Sequence, residues 1–512
     1  MTPISSHREV ERKLRVSSEF VMPDLVEAGV AASVSTSEPF TMTAVYHDTA
    51  DLTLFRWGIT LRRREGGADQ GWHMKLPVAG ADGSTRDEMH LPLEAGEIGS
   101  VPGGFIEVIA PLLREQQLVP AVTLSTRRTP SLLLDSHGRP RAEVVDDLVS
   151  IVREGQPLSA FRELEIEALD AEDTKALRMI ERAVDVLRRA GATPSSVSKA
   201  ASALGPRTAE PPDVPSLPLP GPGGLAVDAI RAVLAQHVRH LLMSDVSVRR
   251  DLPDSVHQMR VSARRLRSAF STFAPLLDAE VTATLKEELK WLASELGAIR
   301  DTEVMIERLD RHAAELDDPA DTQRARAAID PLLNRRLAGA RSSALAALRS
   351  DRHQLLVDDL MTVAIEPPVT DAAFASCEEA LLPLVARTWR RLDRSITGLD
   401  LYGESVTWHL ARIKAKRARY AAESVAGIFG KRMVRLADGL ADVTDLLGDH
   451  QDAHVAQGII RELASHPDTD GLTGLALGLL HEFESDEEIL DRLRFMEVWP
   501  GVTKTARKAG LG

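Results

Sequence analysis

The stretch Glu9-Val10-Glu11-Arg12-Lys13 sets two carboxylates and an ammonium at positions i, i+2 and i+4, which on a β-strand places all three on one face. The same device returns along the chain. Arg62 and Arg64 share a face, as do Arg86 and Glu88, and Glu163, Glu165 and Glu167 line one side of a segment whose other side carries Leu164 and Ile166. Lys75, Arg128, Asp147 and Lys199 sit on or near further segments of this kind. Any one of them reads equally well as the solvated face of an antiparallel sheet. That reading does not account for the segregation, in which acidic pairs stand on the first and late strands and basic pairs on those between. A sheet closed with these faces inward has a lumen with cationic and anionic walls. Basic groups hold phosphate oxygens, arginine by paired hydrogen bonds. Clustered carboxylates repel phosphate unless a hard divalent cation lies between, and Mg²⁺ or Mn²⁺ suits oxygen-only ligands. The expected ligand is a metal-bound polyanion.

Around these segments, alternating stretches are separated by turn sequences such as Gly66-Gly67-Ala68-Asp69 and Asp135-Ser136-His137-Gly138, so this part of the chain is predicted as mainly antiparallel β. One helix interrupts it at about Asp173 to Ala190, with Leu177, Ile180, Val184 and Leu187 at helical spacing and Gly191 as its stop. From Gly205 to Gly224 come Pro206, Pro211, Pro212, Pro215, Pro218, Pro220 and Pro222, too many for a helix or sheet interior. After this linker the periodicity is helical throughout. The expected organisation is a multidomain α+β chain with a β domain at 1–204, a linker at 205–224 and an all-α domain at 225–512.

At 512 residues, 44% hydrophobic and 27% charged, both domains can bury a core. Cys377 is the sole cysteine, so no disulfide forms within the chain. Met1 to Lys13 is charged and lacks an apolar core, and no uncharged apolar run reaches transmembrane length. These features give the expectation of a cytoplasmic protein without a membrane partner, association with polyphosphate granules being left open. A formal net charge of −14 and 4% aromatics argue against general recruitment of nucleic acid and against base stacking. Any anion site must be local.

The helical half holds such a candidate. His257, Arg260, Arg264 and Arg267 stand at i, i+3, i+7 and i+10, one basic stripe on a helix, and His409, Arg412, Lys416 and Arg419 repeat the spacing. Downstream, Leu296-Gly297-x-x-Arg300-Asp301 returns as Leu447-Gly448-x-x-Gln451-Asp452 at nearly the same offset, which predicts two duplicated helical bundles. A charge run is ordinarily a solvated face. Like charges at i, i+3 and i, i+4 nevertheless cost helix stability and call for acidic partners or an anionic ligand. Metal binding fits poorly, since no second ligand joins His257 or His409 at a suitable spacing. A polyphosphate chain could track the two stripes electrostatically.

Two family resemblances join these readings. Glu9-x-Glu11-x-Lys13, Leu61-Arg62-x-Arg64, Trp72-x-x-Lys75-Leu76-Pro77, Arg86-x-Glu88, Glu143-Val144-Val145-Asp146-Asp147, Phe161-x-Glu163-x-Glu165-x-Glu167 and Ser198-Lys199 resemble, in order, the CYTH family, the triphosphate tunnel metalloenzymes. The resemblance implies an eight-stranded antiparallel barrel with accessory helices. It implies divalent-metal-dependent action on inorganic triphosphate, thiamine triphosphate or nucleoside triphosphates, with hydrolysis or cyclisation of ATP as the outcomes. It further implies Glu9, Glu11, Glu163 and Glu165 as metal carboxylates, Arg62, Arg64, Lys75, Arg86, Arg128 and Lys199 as phosphate holders, and Lys13, Glu88 and Asp147 as the candidate catalytic set. Arg127 could stand for Arg128, Asp146 for Asp147, and three alternating glutamates leave the metal pair open.

The helical half, from about Leu225 to Lys508, is similar to the CHAD domain, which implies inorganic polyphosphate binding by both stripes. The leading expectation is a triphosphatase whose helical domain recruits polyphosphate, with inorganic triphosphate or short polyphosphate as substrate. Against it stand a non-catalytic polyphosphate-binding protein, an RNA-binding scaffold, and an adenylate cyclase for which no adenine pocket is evident.

Overall fold

The computed structural model describes residues 5–78, 80, 85–153 and 155–511. The expected domain limits at 1 and 512, and the first residues of the charged start, lie outside them. The chain divides into two compact units between Asp213 and Val214.

In the first unit the alternating segments form strands: β1 (Ser5–Val16), β2 (Ser33–Thr36), β3 (Phe40–Asp48), β4 (Thr60–Glu65), β5 (Gly71–Pro77), β6 (Thr85–Leu91), β7 (Val119–Leu134), β8 (Pro140–Arg153), β9 (Gln156–Ala168) and β10 (Thr193–Pro194). Pairing runs β1-β6-β5-β4-β3-β7-β8-β9, all antiparallel, and β1 also pairs with β9, which closes an eight-stranded barrel. The first half of β1 lies against β6 and the second half, from Glu11 to Val16, against β9. Strands β2 and β10 are short additions on β7 and β1. Four helices accompany the barrel: α1 (Thr53–Arg56), α2 (Gly103–Leu113), α3 (Thr174–Arg189) and α4 (Lys199–Leu204).

Period-two alternation sorts the barrel's side chains. Leu14, Val16, Val144, Leu164 and Ile166 point outward and are buried under α3 by Ala176, Ile180, Ala183 and Leu187. That helix matches its sequence signal, with the Asp173 carboxylate accepting from the Lys175 N–H as its N-cap. Inward-facing Ala44, Tyr46, Leu124 and Val149 join Leu52, Phe55 and Ala200 in an apolar cluster. The charged inward positions occupy the rest of the lumen.

The second unit is all helical: α5 (Ala226–Arg249), α6 (Ser255–Thr272), α7 (Ala279–Ala313), α8 (Pro319–Leu348), α9 (Asp351–Ile365), α10 (Cys377–Ala380), α11 (Leu382–Ile396), α12 (Ser405–Phe429), α13 (Lys431–Ala464) and α14 (Gly471–Lys508). The duplication is visible in the packing order, since α5, α6, α7 and α8 pack in sequence, as do α11, α12, α13 and α14, with α6 against α12 and α8 against α14 where the halves meet. Among the described residues no helix is long and apolar enough to cross a membrane.

Candidate functional site

Strand register places the charged residues on one inner surface. Lys75 stands opposite Thr60 and Glu88, Tyr46 opposite Arg62, Arg128 opposite Asp147, Asp147 opposite Glu163, and Lys13 opposite Glu165. Arg128 and Asp147 therefore face inward. Arg127 pairs in register with Leu148, and Asp146 accepts two hydrogen bonds from Arg162 at 2.9 and 2.6 Å, away from the lumen.

The lumen encloses a cavity of about 110 Å³. Arg62, Arg64, Lys75, Arg128 and Lys199 contribute cations to its wall, and Glu9, Glu88, Glu165 and Glu167 contribute carboxylates. Lys75 Nζ lies 2.6 Å from Glu9 Oε1 and 3.4 Å from Glu88 Oε2. Lys13 Nζ lies 2.6 Å from Glu11 Oε1 and 3.7 Å from Glu165 Oε1. Arg128 donates to both oxygens of Asp147, at 2.9 and 2.6 Å, and to Glu165 Oε2 at 2.9 Å.

Lys199 begins α4, whose N-cap Ser198 accepts from the Ala201 N–H, and this turn delivers the ammonium inward. Its Nζ meets Glu165 at 2.6 Å, Glu163 at 2.9 Å and Asp147 at 3.0 Å.

Four sequence candidates, Glu11, Arg86, Asp147 and Glu163, do not line this cavity. Asp147 and Glu163 are 0% and 1% exposed and lie behind Arg128 and Lys199. Arg86 has the correct strand parity, but its guanidinium donates to the Gly58 carbonyl at 2.8 Å. Conversely Tyr46, Thr60, Asp69, Glu167 and Ser198 line the cavity without having been chosen. Glu167 was legible as the third member of the glutamate alternation, and His73, two residues before Lys75, as sharing its face.

Electrostatics divide the carboxylates. Burial opposes the charge of Glu165, yet Lys199, Lys13 and Arg128 hold its carboxyl well below the usual range. Burial likewise opposes Glu11, and Lys13 with Lys75 outweighs it. Glu9 is pushed up by burial despite Lys75. Glu167 is pushed up to about 8 by burial, with Glu9 and Glu11 adding to it. Glu167 thus feels the charges of Glu9, Glu11 and Glu165, and oxygen donors of this kind suit a hard divalent cation, which would have to draw them together, since no three of them lie within 4.8 Å of one another. Arg64 is lowered to about 10 by burial and by Arg62 beside it, so that wall of the lumen has excess positive charge.

In the helical unit the stripes of α6 and α12 come together. Arg264, Arg267, Arg412, Lys416 and Tyr420 line a depression of about 180 Å³, with the Arg264 guanidinium 6.0 Å above the Tyr420 ring. Burial, then Arg264 and Arg412, push the Lys416 ammonium down to about 6. The repeated Leu-Gly motif gains its reason here, since Arg260 lies against Gly297 and Arg412 against Gly448 of the neighbouring helix.

The stripe is not uniform. Arg260 bonds Asp301 at 2.7 Å, and Arg419 bonds Glu423 and Thr444, each at 2.7 Å, so these two have acidic or hydroxyl partners as a solvated face requires. His409 Nδ1 lies 2.6 Å from Gln451 Oε1. Neither His409 nor His257 lines the depression.

A family model for the CYTH domain matches residues 7–202, and one for the CHAD domain matches residues 232–461. The uncharacterized protein Rv2226 of Mycobacterium tuberculosis is 31% identical over 523 residues, covering 98% of each chain. Among solved structures, PptA from Streptomyces chartreusis aligns with a TM-score of 0.47 at 26% identity, over 54% of this chain and 99% of its own. The CHAD domain from the plant Ricinus communis aligns with a TM-score of 0.45 at 24% identity, over 57% of this chain and 95% of its own.

Proposed function

Because this chain belongs to the proteins that carry a CYTH domain followed by a CHAD domain, we propose that its barrel hydrolyses a short phosphate chain, inorganic triphosphate or short polyphosphate. The CHAD domain would hold longer polyphosphate. The observation that carries this reading is the cavity wall itself, where Arg62, Arg64, Lys75, Arg128 and Lys199 meet Glu9, Glu88, Glu165 and Glu167 in one enclosed space. The two sets pair with one another, and a metal-bound polyanion could replace both kinds of partner at once, which neither a polyanion nor a cation alone could do.

In this proposal Arg62, Arg64, Arg128 and Lys199 bind the phosphate oxygens, each already oriented by a bond to the wall. Glu163 and Asp147 act as positioning residues that hold Lys199 and Arg128. Glu9, Glu11, Glu165 and Glu167 would hold Mg²⁺ or Mn²⁺, which when bound offsets phosphate charge and polarises the terminal phosphoryl group. Water attacks the terminal phosphorus in line, its oxygen forming the new P–O bond as the anhydride P–O bond breaks. Lys13, fixed by Glu11, and Glu88, fixed by Lys75 and His73, would orient that water, whose proton passes to the phosphate released.

The test is phosphate release by the full-length protein from inorganic triphosphate, long-chain polyphosphate, ATP and thiamine triphosphate, with Mg²⁺, with Mn²⁺ and with chelator. Chelator-sensitive release, fastest on inorganic triphosphate and abolished in Glu9→Gln/Glu11→Gln, is the expected result. Release that survives the double substitution would remove the metal assignment, and no release from any substrate would leave a binding protein.

A further inference from the structure

Three potential metal ligands converge at the Arg64 end of the lumen, and the triphosphatase reading does not use them as such. His73 of β5 and His90 of β6 are directly opposed across the sheet, with ring centroids 4.8 Å apart. Asp69, in the β4–β5 turn, places Oδ1 3.9 Å from His73 Nε2 and 4.0 Å from His90 Nε2. The three ligand atoms lie within 4.8 Å of one another, the one such group among the described residues. A tetrahedral zinc site with bonds of ~2.0–2.1 Å spaces its ligands by roughly 3.4 Å. Asp69 is exposed, and a shift of its side chain of about half an ångström would bring its carboxylate to that spacing.

The hydrogen bonding singles out one nitrogen. His73 is buried, and its Nδ1 lies 2.7 Å from Glu88 Oε1. A carboxylate can only accept, so Nδ1 carries the hydrogen. With Nδ1 turned to Glu88, Nε2 is the nitrogen that faces the β4–β5 turn, 3.1 Å from the Asp69 carbonyl oxygen. His90 Nε2 likewise lies 3.3 Å from the Gln70 carbonyl oxygen. Each ring would exchange that backbone hydrogen bond for a metal bond when an ion enters.

A second observation concerns the backbone. Gly71 has φ +153°, and a Cβ built on it would stand 2.3 Å from His90 Nε2. The absence of a side chain at position 71 is what admits the His90 ring.

We propose that Asp69, His73 and His90 form a binding site for a borderline divalent ion, Zn²⁺ by preference, distinct from the glutamate set that would take a hard cation. Two imidazoles and one carboxylate suit zinc, whereas Mg²⁺ favours oxygen alone. Glu88 completes a carboxylate–histidine–metal arrangement, fixing the tautomer and orientation of His73. Arg64 binds the other oxygen of Asp69 and its carbonyl, which lowers cation affinity by its charge but holds Oδ1 toward the histidines. Three protein ligands leave a fourth position for water or a phosphate oxygen.

The experiment is titration of chelator-stripped full-length protein with Zn²⁺, alone and in excess Mg²⁺, with Co²⁺ as a spectroscopic probe of tetrahedral coordination. Zn²⁺ binding that persists in Mg²⁺, together with a tetrahedral Co²⁺ spectrum, is expected. Asp69→Asn and His90→Ala, at exposed and half-buried positions, should each weaken it at least tenfold, as ligand or orienting groups generally do, and Glu9→Gln/Glu11→Gln should leave it unchanged. Binding insensitive to both Asp69→Asn and His90→Ala, or lost in Glu9→Gln/Glu11→Gln, overturns the site. Binding rather than turnover is read, so failure here and failure of the triphosphatase reading are separable.

Discussion

Replacing Lys199 with methionine removes one ammonium from contact with three carboxylates while keeping a long side chain in its place. The lysine is 7% exposed, and Asp147, Glu163 and Glu165 lie 3.0, 2.9 and 2.6 Å from its Nζ. Arg128 still compensates Asp147 and Glu165. Glu163 keeps a long contact with Arg15, at 4.0 Å, and the more distant charge of Lys13, and becomes the least compensated carboxylate. Removing one partner of a buried ion pair costs roughly 3–5 kcal/mol, which for a unit of this size lowers the barrel's Tm by roughly 10 °C. Hydrogen exchange of barrel peptides across a urea series measures the loss, with the helical unit as internal control.

The cost has a signature that a packing defect lacks. In Lys199→Met the Glu163 carboxyl, already raised by burial, loses its main compensation and rises further. A carboxyl raised in the folded state binds protons there that the unfolded chain has released, so stability falls as pH climbs above the unfolded value of 4.5 and the deficit vanishes below it. Glu163→Gln added to Lys199→Met should recover part of the loss. A deficit under about 1 kcal/mol, or one that neither low pH nor Glu163→Gln relieves, would refute the reasoning.

Other outcomes follow from the same geometry. Substituting Arg260, Arg264, Arg412 and Lys416 together should weaken polyphosphate binding and flatten its salt dependence, as filter binding across a salt series would read, and an unchanged slope would leave the stripe a solvated face. Lys416, lowered to about 6 by burial and by Arg264, is neutral above that pH and gains a proton when an anion arrives, so affinity should fall as pH rises through 6, by up to about tenfold per unit. Lys416→Met should remove that component, which titration calorimetry at several pH values would show. Gly71→Ala should destabilise the barrel by about 1–3 kcal/mol, because its Cβ would meet the Leu91 carbonyl at 2.5 Å, and a wild-type urea midpoint would count against that packing.

Much of this protein is readable from spacing alone. A strand's side chains repeat every two residues, so Glu9, Glu11 and Lys13, or Arg62 and Arg64, declare a shared face wherever the strand goes, and a helix period of 3.6 does the same for Arg264 and Arg267. The chain divides between Asp213 and Val214, inside the proline-rich stretch, and the repeated Leu-Gly motif marked the duplication of the helical half.

Partnership was not readable in this way. Lys75 and Glu9 are 66 residues apart, and the pairing of both β5 and the first half of β1 with β6 sets them 2.6 Å apart as the barrel closes. The same closure leaves Glu167 without the lysines that compensate Glu165, sends the Arg86 guanidinium to a backbone carbonyl, and turns Arg128 and Asp147 inward in place of their neighbours. In the helices, packing of α7 and α13 gave Arg260 and Arg419 acidic neighbours and left Arg264 and Lys416 facing one another. Alternation is a local property of the backbone and is written in the sequence. Charge compensation depends on distance and burial, which exist only once strands and helices remote in the chain have met.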